Sequence, residues 1–312
     1  MRFLHNVNID FLSKRKFFYL LSTTLIVIGF AIFLIKGINL GIDFKGGTEI
    51  LVRFQNPIPI QDVRSAMDKS GLTGSEIKTM GGENDILIRT AESGEGAAIS
   101  NTIRDGLNKN FPENKFEVLR IDKVGPTIGK ELRIAAIYAT LFSLVAILIY
   151  LAFRFEFVYA VGAVIALFHD VFITIGMIAI FSLIFPSLNL ELSEGMVAAF
   201  LTLIGFSSND TVIVFDRIRE NIKLYKNEDI LKVMNKSINT TLSRTIITSG
   251  TVFLTVLILF IFGGEVNRSF AFTFLIGIVT GTYSSVYVAS AFVVDIKYAQ
   301  KRRKLKPVVS KA

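Results

Sequence analysis

The chain has 312 residues, 51% of them hydrophobic and only 19% charged, a balance unlike that of a soluble domain of this length. It contains no cysteine, which excludes disulfides, thiolate metal sites and thiol nucleophiles, and its two histidines, His5 and His169, stand too far apart for a zinc motif. The formal charge of +8 would suggest a nucleic-acid partner in a soluble protein, but here the basic residues gather at the ends of apolar runs, so topology explains them and no nucleic acid is expected.

A hydrocarbon core of roughly 30 Å is crossed by about 20 apolar residues in a helix. No water there can satisfy open backbone groups, so helices are the natural spanning form. Six spans are predicted, at residues 17–35, 134–153, 157–185, 195–215, 245–264 and 269–294. The first follows Lys14, Arg15 and Lys16 and looks like a signal-peptide core, yet no small-residue cleavage site follows and five spans come after it, so it reads as a retained anchor.

Residues 36–133 carry the pattern of one small domain. Alternation puts Ile50, Val52 and Phe54 on one strand face, and Ile60, Val63 and Met67 give a short helix. Weak strands at 76–80 and 85–89 flank a Gly81-Gly82 turn. A helix at 97–111 with Ile99, Ile103 and Leu107 precedes a closing strand at 115–121. The order β-α-β-β-α-β predicts a ferredoxin-like sandwich. Gly125-Pro126 turns the chain into the second span, and residues 226–239 read as a separate helix beside the bilayer.

Basic residues set the orientation. Arg2 and Lys14–Lys16 precede the first span; Arg217, Arg219, Lys223, Lys226, Lys232, Lys236 and Arg244 follow the fourth; Lys297, Lys301, Arg302, Arg303, Lys304, Lys306 and Lys311 follow the last. The opposite loops are acidic or balanced, with Glu191, Glu194, Glu265 and Arg268. Both termini are therefore expected in the cytoplasm. The expected fold is a polytopic α-helical membrane protein, six transmembrane helices with a small external α+β domain between helices one and two. It divides into a cytoplasmic segment (1–16), the first span (17–35), the external periplasmic-side domain (36–133), a five-span bundle (134–294) with a cytoplasmic loop at 217–243, and a basic cytoplasmic tail (295–312).

Ionisable groups inside a bilayer are expensive and mark functional positions. Asp210 lies in the fourth span within Ser207-Ser208-Asn209-Asp210, six residues before Asp216, or about 9 Å above the polar loop. Arg244 begins the fifth span, at a depth where its long arm is expected to reach Asp210. Low dielectric favours a neutral carboxyl and a nearby arginine favours the charged one, so such a pair can load and release a proton. The same residues also fit a plain role, an ion pair joining two helices or an arginine reaching for the interface. His169-Asp170 in the third span extends a relay or supplies structural hydrogen bonds. Gly176, Gly205, Gly250, Gly277 and Gly281 allow close helix approach, and the Gly277–Gly281 spacing offers a contact face for a partner. The glycine-rich stretch at 41–47 lacks phosphate-loop spacing, so no cofactor or metal is expected and the chain is not read as an enzyme.

Several motifs together resemble the SecF family of protein-export membrane proteins. Asp43-Phe44-Lys45-Gly46-Gly47 is similar to that family's DFxGG signature. Asn209, Asp210, Val212, Val214, Phe215, Asp216, Arg217, Arg219, Glu220 and Asn221 match its long charged run. Residues 243–250, 166–170 and 259–264 resemble further segments, so the likeness runs from 41 to about 291. It implies half of a resistance-nodulation-division type transporter, paired with a SecD-like subunit and associated with the SecYEG channel, often with YajC, that moves preproteins with proton flow. It also implies that Asp210 is the essential intramembrane aspartate and Arg244 its conserved neighbour. The competing readings are a half-transporter for a lipid or small molecule, and a passive scaffold subunit with no proton chemistry.

Overall fold

The computed structural model describes residues 8–37, 39–92 and 97–305; Arg2, His5, Lys306 and Lys311 lie outside them, as do the side chains of Glu265, Arg303 and Lys304. Among the described residues six helices are long and apolar enough to cross a membrane. After a short 3-10 turn, α1 (Arg15–Lys36) leads to a single turn, α2 (Ile42–Lys45), and then to the extramembrane domain. That domain comprises β1 (Gly47–Phe54), α3 (Ile60–Lys69), β2 (Glu76–Thr79), β3 (Asp85–Thr90), α4 (Ala98–Asn110) and β4 (Phe116–Val124).

The sheet is antiparallel in the order β2-β3-β1-β4, the ferredoxin-like arrangement expected from the element order. Ile50, Val52, Phe54, Ile86 and Ile88 face α3 and α4, whose Val63, Met67, Ile103 and Leu107 complete a buried core. The register places Glu76, Arg89, Glu49 and Asp122 side by side across the other face. The closing strand runs three residues beyond the predicted 121, because Asp122 and Val124 continue to pair with β1.

The bundle continues as α5 (Pro126–Arg154), α6 (Phe157–Ile184), α7 (Glu194–Leu224), α8 (Ile230–Phe262), α9 (Gly264–Ser284), a π-helical segment Ser285–Ser290, and α10 (Ala291–Leu305). Gly125 caps α5 with Pro126 in its first turn, a position that lacks an intrahelical donor requirement. The separate helix predicted at 226–239 is instead the first part of α8: residues 239–244, Asn-Thr-Thr-Leu-Ser-Arg, contain no glycine or proline to break it. Likewise α7 runs nine residues past the predicted end at 215, through the charged run.

Helices α7, α8 and α9 form one packed group, and α1 lies along α6. Gly29 and Gly176 make the α1–α6 crossing possible: a Cβ added at Gly29 would stand 2.3 Å from the Gly176 Cα. Gly277 and Gly281 are spent within the chain, against Leu203 and Ser207 of α7, which corrects their expected role as a partner face. Gly205 and Gly250 have open space in front of them. At the end opposite the sheet domain, Asn235 and Asn239 of α8 bind the backbone at Ile9 and Phe11, and Arg15 pairs with Asp295 at 2.8 Å.

Candidate functional site

Two buried carboxylates lie in the bundle, one on each side of the α7–α9 contact. Asp210 on α7 is 1% exposed. Its Oδ2 accepts from Ser249 Oγ of α8 at 3.0 Å and Thr282 Oγ1 of α9 at 3.5 Å, and Thr282 donates to Ser249 at 3.0 Å. Its Oδ1 is buried with no hydrogen-bond partner among the described residues. An orphaned buried oxygen costs about 1–3 kcal/mol, and an exchangeable proton on the carboxyl is one way to lower that cost.

Arg244 does not meet Asp210. It is exposed on α8 and forms no ion pair among the described residues, acting on the carboxylate only through longer-range charge. The reason is register: the α8 residue level with Asp210 is Ser249, five positions on, or about 7.5 Å along the axis.

Asp170 on α6, also 1% exposed, anchors a longer polar chain. Its Oδ2 accepts from Ser284 Oγ at 2.8 Å and from Ser207 Oγ in a short contact, while Oδ1 lies 3.0 Å from His169 Nδ1. His169 Nε2 lies 2.9 Å from Ser22 Oγ on α1, Ser22 is 2.7 Å from the Tyr283 hydroxyl, and Tyr283 donates to the Phe18 carbonyl. Thr282, Tyr283 and Ser284 are consecutive on α9, so one turn of that helix touches both clusters just before its π-helical segment. Ladder irregularities of that kind are frequent at functional sites. Sequence reasoning missed Ser22, Thr282 and Tyr283; Ser22 opens a Ser-Thr-Thr run in an apolar span, and only its partners across the bundle single it out from its two neighbours.

The motif residues divide between the two ends. Gly46 and Gly47 have φ of 76° and 121°, and a Cβ at Gly47 would stand 2.2 Å from the Thr90 carbonyl. Phe44 is buried, with its carbonyl accepting from Arg133 at 2.5 Å. The Asp43 carboxylate accepts from the backbone N–H of Glu194 at 2.9 Å, the first residue of α7. At the other end Asp216 pairs with Arg154 at 2.6 Å and Arg217 with Glu220 at 2.7 Å. Asn209 is exposed and shares an open face of α7 with Thr202 and Gly205.

A second polar centre, not foreseen from the sequence, joins the sheet to the α6–α7 connection. Arg89, 7% exposed at its side chain, donates to Glu49 at 2.5 Å and to Glu191 at 2.7 Å; Arg120 pairs with Glu49 at 2.6 Å, and Lys78 with Glu191. Burial works to raise the Glu191 carboxyl, but hydrogen bonds and charge from Arg89 and Lys78 hold it below its ordinary value. Burial likewise opposes the Arg89 charge, and Glu191 and Glu49 more than offset it, so the guanidinium is held more firmly protonated. Asp122 is pushed up, chiefly by burial. The cluster borders a cavity of about 570 Å³ that Asp43, Glu49, Asp122 and Glu194 also line. Among the described residues no group of three or more His, Cys, Asp or Glu is arranged to hold a metal ion.

Comparisons with known proteins agree with one another. A family profile described as "Protein export membrane protein SecD/SecF, C-terminal" matches residues 104–299, and one described as "SecD/SecF GG Motif" matches residues 31–58. The chain is 45% identical to the protein translocase subunit SecF of Rhodothermus marinus, over 98% of this chain and 99% of that one. It is 48% identical to SecF of Calditerrivibrio nitroreducens, over 95% and 96%. The crystal structure of SecDF, a translocon-associated membrane protein from Thermus thermophilus, superposes with a TM-score of 0.82 at 36% identity, covering 95% of this chain and 40% of that one. The chain thus spans nearly the whole of its SecF relatives and less than half of the SecDF polypeptide.

Proposed function

The chain belongs to the SecD/SecF family of protein-export membrane proteins and has a SecF-like role in the Sec export machinery; on that footing we propose that it draws on the proton motive force, with a SecD-like partner, to promote preprotein translocation and release. The observation that carries the reading is Asp210, fully buried at the meeting of α7, α8 and α9, half satisfied by hydroxyls and half unsatisfied. A carboxyl that can be neutral or charged in low dielectric, beside helices able to repack, is the element a proton-driven conformational cycle requires. Asp170 and His169 are the second station in this proposal, and Arg244 belongs to the path between Asp210 and the cytoplasmic side.

The proposed orientation puts the inner membrane around α1 and α5–α9, the sheet domain on the periplasmic side, and residues 8–14, the 225–229 turn and the basic end of α10 in the cytoplasm. A SecD-like subunit is assigned to the open α7 face of Thr202, Gly205 and Asn209, because an amide facing lipid costs energy that a partner helix relieves. Association with the SecYEG channel, often with YajC, and the translocating preprotein follow from the same family role.

The test is preprotein export in inverted vesicles carrying the full complex, with and without an imposed proton gradient. Asp210→Asn keeps shape and hydrogen-bonding capacity but cannot carry a proton. It is expected to abolish gradient-dependent stimulation while leaving assembly intact. Full stimulation in Asp210→Asn would remove the proton role and leave a scaffold subunit.

A further inference from the structure

The helix that carries Asp210 starts at the base of the sheet domain, and two separate devices bind them together. The first is a backbone strap. Gly41 N–H donates to the Leu192 carbonyl at 2.8 Å, Leu192 N–H donates to the Asn39 carbonyl at 2.8 Å, and Asp43 accepts from the Glu194 N–H. The second is the ion cluster, in which Arg89 on β3 holds Glu49 of β1 and Glu191 of the α6–α7 connection at once. Asp43 therefore caps α7 from outside the helix, while Arg89 fixes the residue three positions before its first turn.

A connection between two spans is normally the compliant part of a membrane bundle. This one is held on both sides. The Arg89 contacts are charge-assisted, branch to Glu49 and Glu191 with a longer one to Glu76 at 3.3 Å, and those to Glu49 and Glu191 are nearly sealed from water, which separates them from exposed pairs of little consequence. Beyond the join, α7 is one uninterrupted helix of 31 residues without proline. Asp210 lies about 24 Å down that helix from Glu194, so a shift at the outer end reaches the carboxylate with little loss.

We infer that Asp43 and the Glu49–Arg89–Glu191 cluster are positioning residues that lock the sheet domain and the outer end of α7 into one rigid body, so that displacement of the domain is delivered along α7 to Asp210. The inference rests on the proton-site reading of Asp210 and adds the mechanical route to it. The join stays closed throughout the cycle; the domain and α7 move together.

The absence of native cysteine makes a direct test available. An ideal Cβ on Gly41 lies 3.4 Å from the Ser193 Cβ, close to the ~3.5–4.5 Å of a disulfide, so Gly41→Cys with Ser193→Cys bridges the strap. The complete complex is assayed in inverted vesicles for gradient-stimulated export, with partner co-purification measured in parallel. Asp43→Ala combined with Glu191→Gln is expected to lower stimulation about tenfold with assembly intact. Oxidising the 41–193 pair is expected to leave the otherwise unchanged protein within about twofold of full stimulation. In the Asp43→Ala, Glu191→Gln background, oxidation is expected to restore stimulation and reductant to remove it again, which loss of fold alone would not show. Loss of export on oxidation of the otherwise unchanged protein means that the two faces must part, and overturns the inference. So does full stimulation in the loosened variant, or its failure to recover on oxidation. If Asp210→Asn abolishes stimulation and the loosened variant does not, only the lock falls; if Asp210→Asn retains it, the proton reading falls first.

Discussion

Replacing Arg89 with methionine removes the charge that holds Glu49 and Glu191 together while keeping much of the side chain's volume. Breaking a buried ion pair from one side costs about 3–5 kcal/mol, because the remaining charge stays desolvated. Here Glu49 keeps Arg120 at 2.6 Å and Glu191 keeps Lys78, which places the loss at the low end, about 3 kcal/mol. The dependence on pH has a definite sign. In the native protein the Glu191 carboxyl is held below its ordinary value, so its contribution is present above the unfolded-state pKa and is lost as pH falls through the folded one. Without Arg89, burial acts on Glu191 with less opposition, its carboxyl protonates more readily, and acid relieves the defect. The gap between variant and native protein is therefore widest near neutral pH and narrows as pH falls through and below the ordinary glutamate range. The assay is hydrogen exchange of the β1 and β3 amides in the full-length protein in detergent, corrected for intrinsic rates. A 3 kcal/mol loss corresponds to roughly a hundred-fold drop in protection near neutral pH. Unchanged protection there, or a deficit as large in acid as at neutrality, would refute the reasoning.

Gly29→Leu forces a side chain into the α1–α6 crossing, where even a Cβ would stand 2.3 Å from Gly176; overpacking of about 1–3 kcal/mol or more should lower the unfolding temperature in detergent, and an unchanged value would mean that the helices separate freely. Asn209→Leu leaves the chain's own packing untouched, since Asn209 is exposed, but should reduce co-purification with a SecD-like subunit; undiminished recovery would move the partner to another face. Lys226→Cys, in the exposed turn between α7 and α8, should resist an impermeant thiol reagent in intact cells while Lys109→Cys on α4 reacts, and the opposite pattern would invert the topology.

Much of this architecture is written in local patterns. The six apolar runs require helices because the bilayer offers no other partner for the backbone, and the alternation of Ile50, Val52 and Phe54 against helices with apolar residues at four-residue spacing specifies the small sheet sandwich. The costliness of a buried charge singled out Asp210 and Asp170, and both are sealed from solvent. What the tertiary structure alone decided is which groups meet. Arg244 stands in the right helix beside the right carboxylate in chain order, yet the packing of α8 against α7 delivers Ser249 to Asp210 and leaves Arg244 exposed, five positions nearer the start of α8. Ser22 and Tyr283 lie far apart in sequence, each among other hydroxyl residues that give no sign of which one matters, until α1 and α9 bring them to His169. Glu49, Arg89 and Glu191 look like ordinary surface charges along the chain. Strand register puts the first two opposite each other, and docking of the α6–α7 connection supplies the third. Periodicity reports which face of an element is buried, since that depends on neighbours a few residues away; the pairing of one element with another depends on helix length, register and packing, which no local pattern encodes.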